Sequence, residues 1–165
     1  MGRRGVAVKE MELEPLQVEA WPEPVRPVFT WAEAREDYKR GECVSKPLDV
    51  ATYCRKYIGG SPIEAFLVLF LDPRDRVVSS DLMQTGTIDH AAIYPREIMV
   101  KALAYDATGI ILCHNHPAGS LSPSEPDRQL TRQINDAARP LGVTLHDHLI
   151  VAHEGSFSFR QAGLL

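Results

Sequence analysis

Residues Cys113 to Asp127 read CHNHPAGSLSPSEPD, and the fold turns on how this stretch leaves an apolar run and enters a helix. The run before it, Gly109-Ile110-Ile111-Leu112, has the character of a buried strand. In an extended chain residues i and i+2 share a face, so His114 and His116 look out together while Asn115 looks the other way. Pro117 and Gly119 end the strand and start a loop. Ser124-Glu125-Pro126-Asp127 then opens a helical pattern, with Ser124 at the N-cap and acidic residues in the first turn. Two imidazoles and a carboxylate, with one position left for water, make an open zinc site. A plainer reading has a capped helix beside two hydrogen-bonded histidines. The two are compatible, because the cap itself holds Asp127 close to the imidazoles.

Working outward, Leu130, Ile134 and Ala137-Ala138 recur on one helical face, which Pro140 and Gly142 terminate. Val143-Thr144-Leu145 and Leu149-Ile150-Val151 form a strand interrupted by the polar His146-Asp147-His148, and Gly155 turns the chain into a final strand over 156–159. Upstream, 48–58 carries Val50, Tyr53, Cys54 and Tyr57 at helical spacing, closed by Gly59-Gly60. Glu64 to Leu71 is a near-continuous apolar run, expected of a central strand covered on both faces. Asp72-Pro73-Arg74-Asp75 is a turn into a returning strand over 76–80, with loop or short strand over 82–90. Pro95-Arg96-Glu97 opens a helix with Ile98, Leu103 and Tyr105 expected inward. The order helix, hairpin, helix, strand, helix, hairpin predicts an α/β (α+β) sandwich with a mixed, largely antiparallel sheet flanked by helices.

Residues 1–44 are expected to be a Pro-rich lead, with Pro15, Pro22, Pro24 and Pro27 among glutamates and one short helix over 31–40 after the capping box Thr30-Trp31-Ala32-Glu33. The domain proper is expected over 45–165. A chain of 165 residues suits one sizeable core, and its 44% hydrophobic and 24% charged content is ordinary for a globular protein. The net charge of −4 offers no electrostatic footprint for nucleic acid. Three cysteines, Cys43, Cys54 and Cys113, with no signal-like N-terminus, suggest reduced thiols in a cytoplasm. No apolar run is long enough to cross a bilayer.

A hydrolytic zinc centre also needs a group to take a proton from water and return it to the leaving amine. Glu64, where a helix-to-strand turn enters a buried strand, is the candidate; an ordinary polar residue at a strand start is the alternative. Together these residues resemble the JAMM (MPN+ or JAB) metallopeptidase domain, in its RadC-like branch. The resemblance covers about 45 to 165 and is carried by Glu64-Ala65-Phe66, Tyr94-Pro95-Arg96-Glu97, His114-Asn115-His116-Pro117, Ser124-Glu125-Pro126-Asp127 and Asp147-His148-Leu149-Ile150. It implies a JAMM/MPN (cytidine-deaminase-like) sandwich and one zinc ion per chain bound by His114, His116 and Asp127. It further implies Glu64 as general acid/base and Ser124 as a stabiliser of the oxyanion. The implied substrates are peptide or isopeptide bonds, notably conjugates of ubiquitin-like modifiers.

Three departures qualify the resemblance. Full-length RadC-like proteins carry an N-terminal helical DNA-binding segment, and here a Pro-rich lead stands in its place. Pro126 occupies a position usually not proline, and Glu64 rests on an E-x-F pattern alone. The RadC name is historically tied to DNA repair, so the alternative from another class is a non-enzymatic accessory protein in repair or recombination. Against it stand the acidic charge and the missing Lys/Arg stripe. His146 and His148 form a second H-x-H, expected to serve hydrogen bonding or an outer contact to the site rather than to hold metal. Alternation sends Cys113 away from the metal, as a buried thiol.

Overall fold

The computed structural model describes residues 47–85, 93–153 and 155–165. The expected lead over 1–44, its short helix and most of the segment 82–90 beyond Thr85 lie outside them. The described elements run α1 (Pro47–Ile58), β1 (Ala65–Leu71), β2 (Val77–Thr85), α2 (Pro95–Ala104), β3 (Gly109–Asn115), α3 (Glu125–Ala138), a 3-10 turn (Arg139–Leu141), β4 (Thr144–Ala152) and β5 (Gly155–Ser158). The five strands form one sheet in the order β2-β1-β3-β4-β5, in which only β3 and β4 run parallel. This is the mixed, largely antiparallel α+β arrangement expected from the sequence.

Every residue of β1 and β3 is buried. Both strands are covered on two faces, which is why they read as unbroken apolar runs rather than as alternation. On one face Leu67, Leu69, Ile111, Cys113, Leu149 and Val151 pack with Val50, Cys54 and Ile58 of α1. On the other, Phe66, Val68, Phe70, Ile110, Leu112 and Leu145 pack with Ile98 and Ala102 of α2 and with Ile134 and Ala138 of α3. Cys113 lies against Cys54, and burial pushes its thiol pKa up, in keeping with a sealed apolar position away from His114.

Three expectations are corrected. Strand β2 reaches Thr85 instead of ending near Ser80, because its polar Ser79, Ser80 and Asp81 belong to a sheet edge and hide the strand period. In α2 the inward residues are Ile98, Met99 and Ala102, whereas Leu103 is 58% exposed. Five residues advance a helix by about 500°, so Leu103 points well away from Ile98. Tyr105 stands past the helix end, with its ring edge on Phe70 and its hydroxyl donating to Asp81.

The third correction positions the site. His146-Asp147-His148 does not interrupt β4, which runs continuously from Thr144 to Ala152. Ile110 pairs with Leu145 but Ile111 pairs with Asp147, so His146 is an extra residue in the ladder. Gly109 makes room for it: a Cβ there would stand 2.5 Å from His146 Nε2. Leu145 and His148 therefore share one face although they lie three positions apart, and His146 and His148 are not the pair that simple alternation predicts.

Candidate metal centre

The site lies where β3 runs out into its loop and α3 begins. His114 is the penultimate residue of β3 and is 1% exposed; His116 follows the strand and is partly exposed. Asp127 arrives from the first turn of α3, fixed by a reciprocal capping box. The Asp127 N–H donates to Ser124 Oγ at 3.2 Å, and the Ser124 N–H donates to Asp127 Oδ2 at 2.7 Å. Ser124 Oγ also donates its own hydrogen to Asp127 Oδ2. Cap and carboxylate placement are thus one structure, as the sequence suggested. Pro126 takes an early helical position, where its missing N–H is no loss.

Three donor groups converge. His114 Nε2 stands 3.0 Å from His116 Nε2 and 3.3 Å from Asp127 Oδ1, and His116 Nε2 stands 3.5 Å from Asp127 Oδ2. Ligands on a tetrahedral zinc ion with bonds of about 2.0–2.1 Å lie about 3.3–3.4 Å from one another. The two Asp127 contacts end on different oxygens; with one ligand atom from each residue the three atoms lie within 4.8 Å of one another, near enough to that spacing for the residues to fit the ion. Among the described residues this is the group of histidine and carboxylate side chains that can hold a metal ion. Burial opposes ionisation of Asp127, but the bond and charge of His114 and the two Ser124 bonds more than offset it. They hold the carboxyl below the usual carboxylate range.

The imidazoles are aimed from behind. His116 Nδ1 lies 3.0 Å from the Ser120 carbonyl oxygen, which can only accept, so Nδ1 carries the hydrogen and Nε2 presents a lone pair. His114 Nδ1 lies 2.9 Å from Nε2 of His148, whose Nδ1 lies 2.6 Å from Thr131 Oγ1. Phe66 lies parallel to the His114 ring at 6.0 Å, and Phe159 stacks on His148 at 4.7 Å. His148 is fully buried, and burial followed by the charge of His114 keeps its pKa well below the ordinary histidine value.

Glu64 stands immediately before β1 and is half-buried. Phe66 pairs with His114, and alternation puts Glu64 on the same side of the sheet as Phe66. The triangle of metal-holding groups does not include it. Its backbone is pinned by Asn115, which faces away from the histidines. Asn115 Oδ1 accepts from the Ala65 N–H at 2.8 Å, and Nδ2 donates to the carbonyls of Ser61 and Ile63 at 3.2 and 3.1 Å. Two of the three bonds fall on Ile63 and Ala65, the residues flanking Glu64, and the third on Ser61.

Sequence reasoning missed Asn115 in this role, and it missed Thr131 altogether. Thr131 had a signal: it lies four residues after Asp127 and in phase with Ile134 and Ala138, a polar residue on the buried stripe of α3. Asp147 faces away from the site. It accepts hydrogen bonds from the His148 N–H, Ser158 Oγ and the Arg160 N–H, and so ties β5 and the C-terminal turn to β4.

A family model for the RadC-like JAB domain matches residues 44–164. Two curated relatives are each named only as a UPF0758 protein. One, from Rhodobacter capsulatus, is 44% identical over 113 residues, covering 68% of this chain and 53% of its own length. The other, from Paracidovorax citrulli (strain AAC00-1), is 42% identical over 119 residues, 72% of this chain and 50% of its own. The chain thus spans about half the length of these relatives. Among the described residues no helix is long and apolar enough to cross a membrane.

Proposed function

The chain belongs to the RadC-like JAB domain family, and from that premise we propose that it is a zinc-dependent peptidase or isopeptidase. The observation that carries the reading is the grouping of His114, His116 and Asp127, which could hold a metal ion; strand alternation extended one residue back from β1 assigns Glu64 to the same side. When bound, the ion supplies Lewis acidity to a water and to the scissile carbonyl. Glu64 accepts a proton from the attacking water and delivers it to the leaving amine. Ser124 offers its hydroxyl to the developing oxyanion, and to do so it turns its hydrogen away from Asp127 Oδ2. The backbone cap between Ser124 and Asp127 survives that rotation, because the two N–H donors stay in place.

The substrate class on this reading is a protein or peptide, with conjugates of a ubiquitin-like modifier the leading candidates, and the protein works in a cytoplasm. The test is a comparison of proteins processed in cells carrying the wild type and cells carrying Glu64→Gln. Fragments that appear with the wild type alone support hydrolysis. Identical fragment patterns, from a wild type shown to hold zinc, would overturn it.

A further inference from the structure

Thr131 Oγ1 lies 2.6 Å from the carbonyl oxygen of Asp127 and 2.6 Å from Nδ1 of His148. A threonine hydroxyl has one hydrogen to give. If it went to His148, two oxygens would face each other at bonding distance with no hydrogen between them. Giving it to the Asp127 carbonyl, which can only accept, satisfies both contacts at once. His148 Nδ1 must then carry a hydrogen and donate it to Thr131 Oγ1.

The consequence passes down the line. The His148 ring is sealed between Phe66 and Phe159, with Thr131 and His114 as its hydrogen-bond partners. With Nδ1 protonated, the neutral ring offers a lone pair at Nε2. His114 Nδ1, 2.9 Å away, donates into it, which fixes the ring hydrogen of neutral His114 on Nδ1 and makes Nε2, facing His116 and Asp127, the atom that can take an ion. We propose that Thr131 and His148 are positioning residues that hold His114 in its ligand-competent tautomer through a one-way line of three hydrogen bonds. The line begins on the backbone of Asp127, itself a member of the triangle, so the helix that delivers the carboxylate also sets the tautomer of the imidazole opposite. His116 gets the same tautomer from a single carbonyl, that of Ser120. His114, buried in the sheet, gets it from side chains.

This inference rests on the reading of His114 as a metal ligand, but its main readout does not need the metal. Nitrogen-15 NMR of the histidine rings in the metal-free protein should show His114 and His148 both protonated at Nδ1, with His148 bare at Nε2. Thr131→Val, close in shape but with no hydroxyl, removes the acceptor for His148 Nδ1–H. His148 should then shift its hydrogen to Nε2 and donate to His114, moving the His114 hydrogen onto Nε2. Zinc affinity of Thr131→Val should fall about 10- to 100-fold, as it does when outer partners of a metal-binding histidine are lost. Thr131→Ser should restore both. A wild-type His114 with no hydrogen on Nδ1 would overturn the proposal without any variant. So would a Thr131→Val protein that keeps the wild-type tautomers and zinc affinity. Correct tautomers in a wild type that binds no zinc would instead sink the metal reading.

Discussion

Replacing Asn115 with alanine should cost about 2–3 kcal/mol of folding stability, although the side chain touches neither His114 nor His116. Asn115 is 1% exposed and spends its amide on three backbone groups. Alanine leaves the Ala65 N–H, in a residue only 3% exposed, with no acceptor. A buried orphan of that kind costs about 1–3 kcal/mol. The two lost carbonyl bonds cost less, because Ser61 and Ile63 are near enough to the surface for water to replace the amide. Asn115→Asp sharpens the test. Its carboxylate can still accept from Ala65, but its second oxygen faces the Ser61 and Ile63 carbonyls, which also only accept. At pH 7 it should be less stable than the alanine variant, and it should recover as pH falls. Protonation restores an O–H donor, so the folded state binds the extra proton more readily than the unfolded chain. Urea unfolding is the assay: with a slope of about 2 kcal/mol per molar, the alanine variant's midpoint should drop by about 1–1.5 M. A drop under about 0.5 M, or an aspartate variant as stable as wild type at pH 7, would refute the account.

Zinc stoichiometry should approach one per chain, and His114→Ala or His116→Ala should abolish it; full occupancy in the double variant would place the ligands elsewhere. Glu64→Gln should keep its zinc and lose about 100- to 10,000-fold in turnover, as expected when a general acid/base is removed; zinc content and rate measured on one preparation decide this. Ser124→Ala should also keep zinc and lose roughly 100-fold in rate. Unlike Glu64→Gln, it should lower thermal stability as well, by about 1 kcal/mol, because it strips the N-cap of α3. Equal unfolding midpoints for Ser124→Ala and wild type would contradict the capping role.

The metal-holding group was legible because each part is set by local rules: i and i+2 on a strand, and a cap three residues from its partner. The apolar runs of β1 and β3 declared central strands for the same reason. What the sequence hid was relational. Asn115 looked idle because its partners lie fifty or more residues earlier in the chain. Thr131 looked like an interruption of a stripe, since its use depends on a histidine brought in by the neighbouring parallel strand. Leu103 reads as a core residue by its hydrophobicity alone, yet its angle on the helix leaves it 58% exposed.

The extra residue at His146 acts on β4 as an inserted letter acts on a reading frame. Past it, each side chain takes the face that its neighbour would otherwise have held. For Leu149, Ile150 and Val151, all buried whichever way they point, the exchange trades one apolar contact for another. For Asp147 and His148 it does not. Closing the bulge with His146 in place, so that it pairs with Ile111, would turn the Asp147 carboxylate to the face of His114 and set the His148 imidazole among the residues that pack on α1. The damage from a one-residue slip would thus concentrate in two side chains. A hydrophobicity profile of the strand would barely register it, while His114, on the adjacent strand, would lose the anchor of its tautomer.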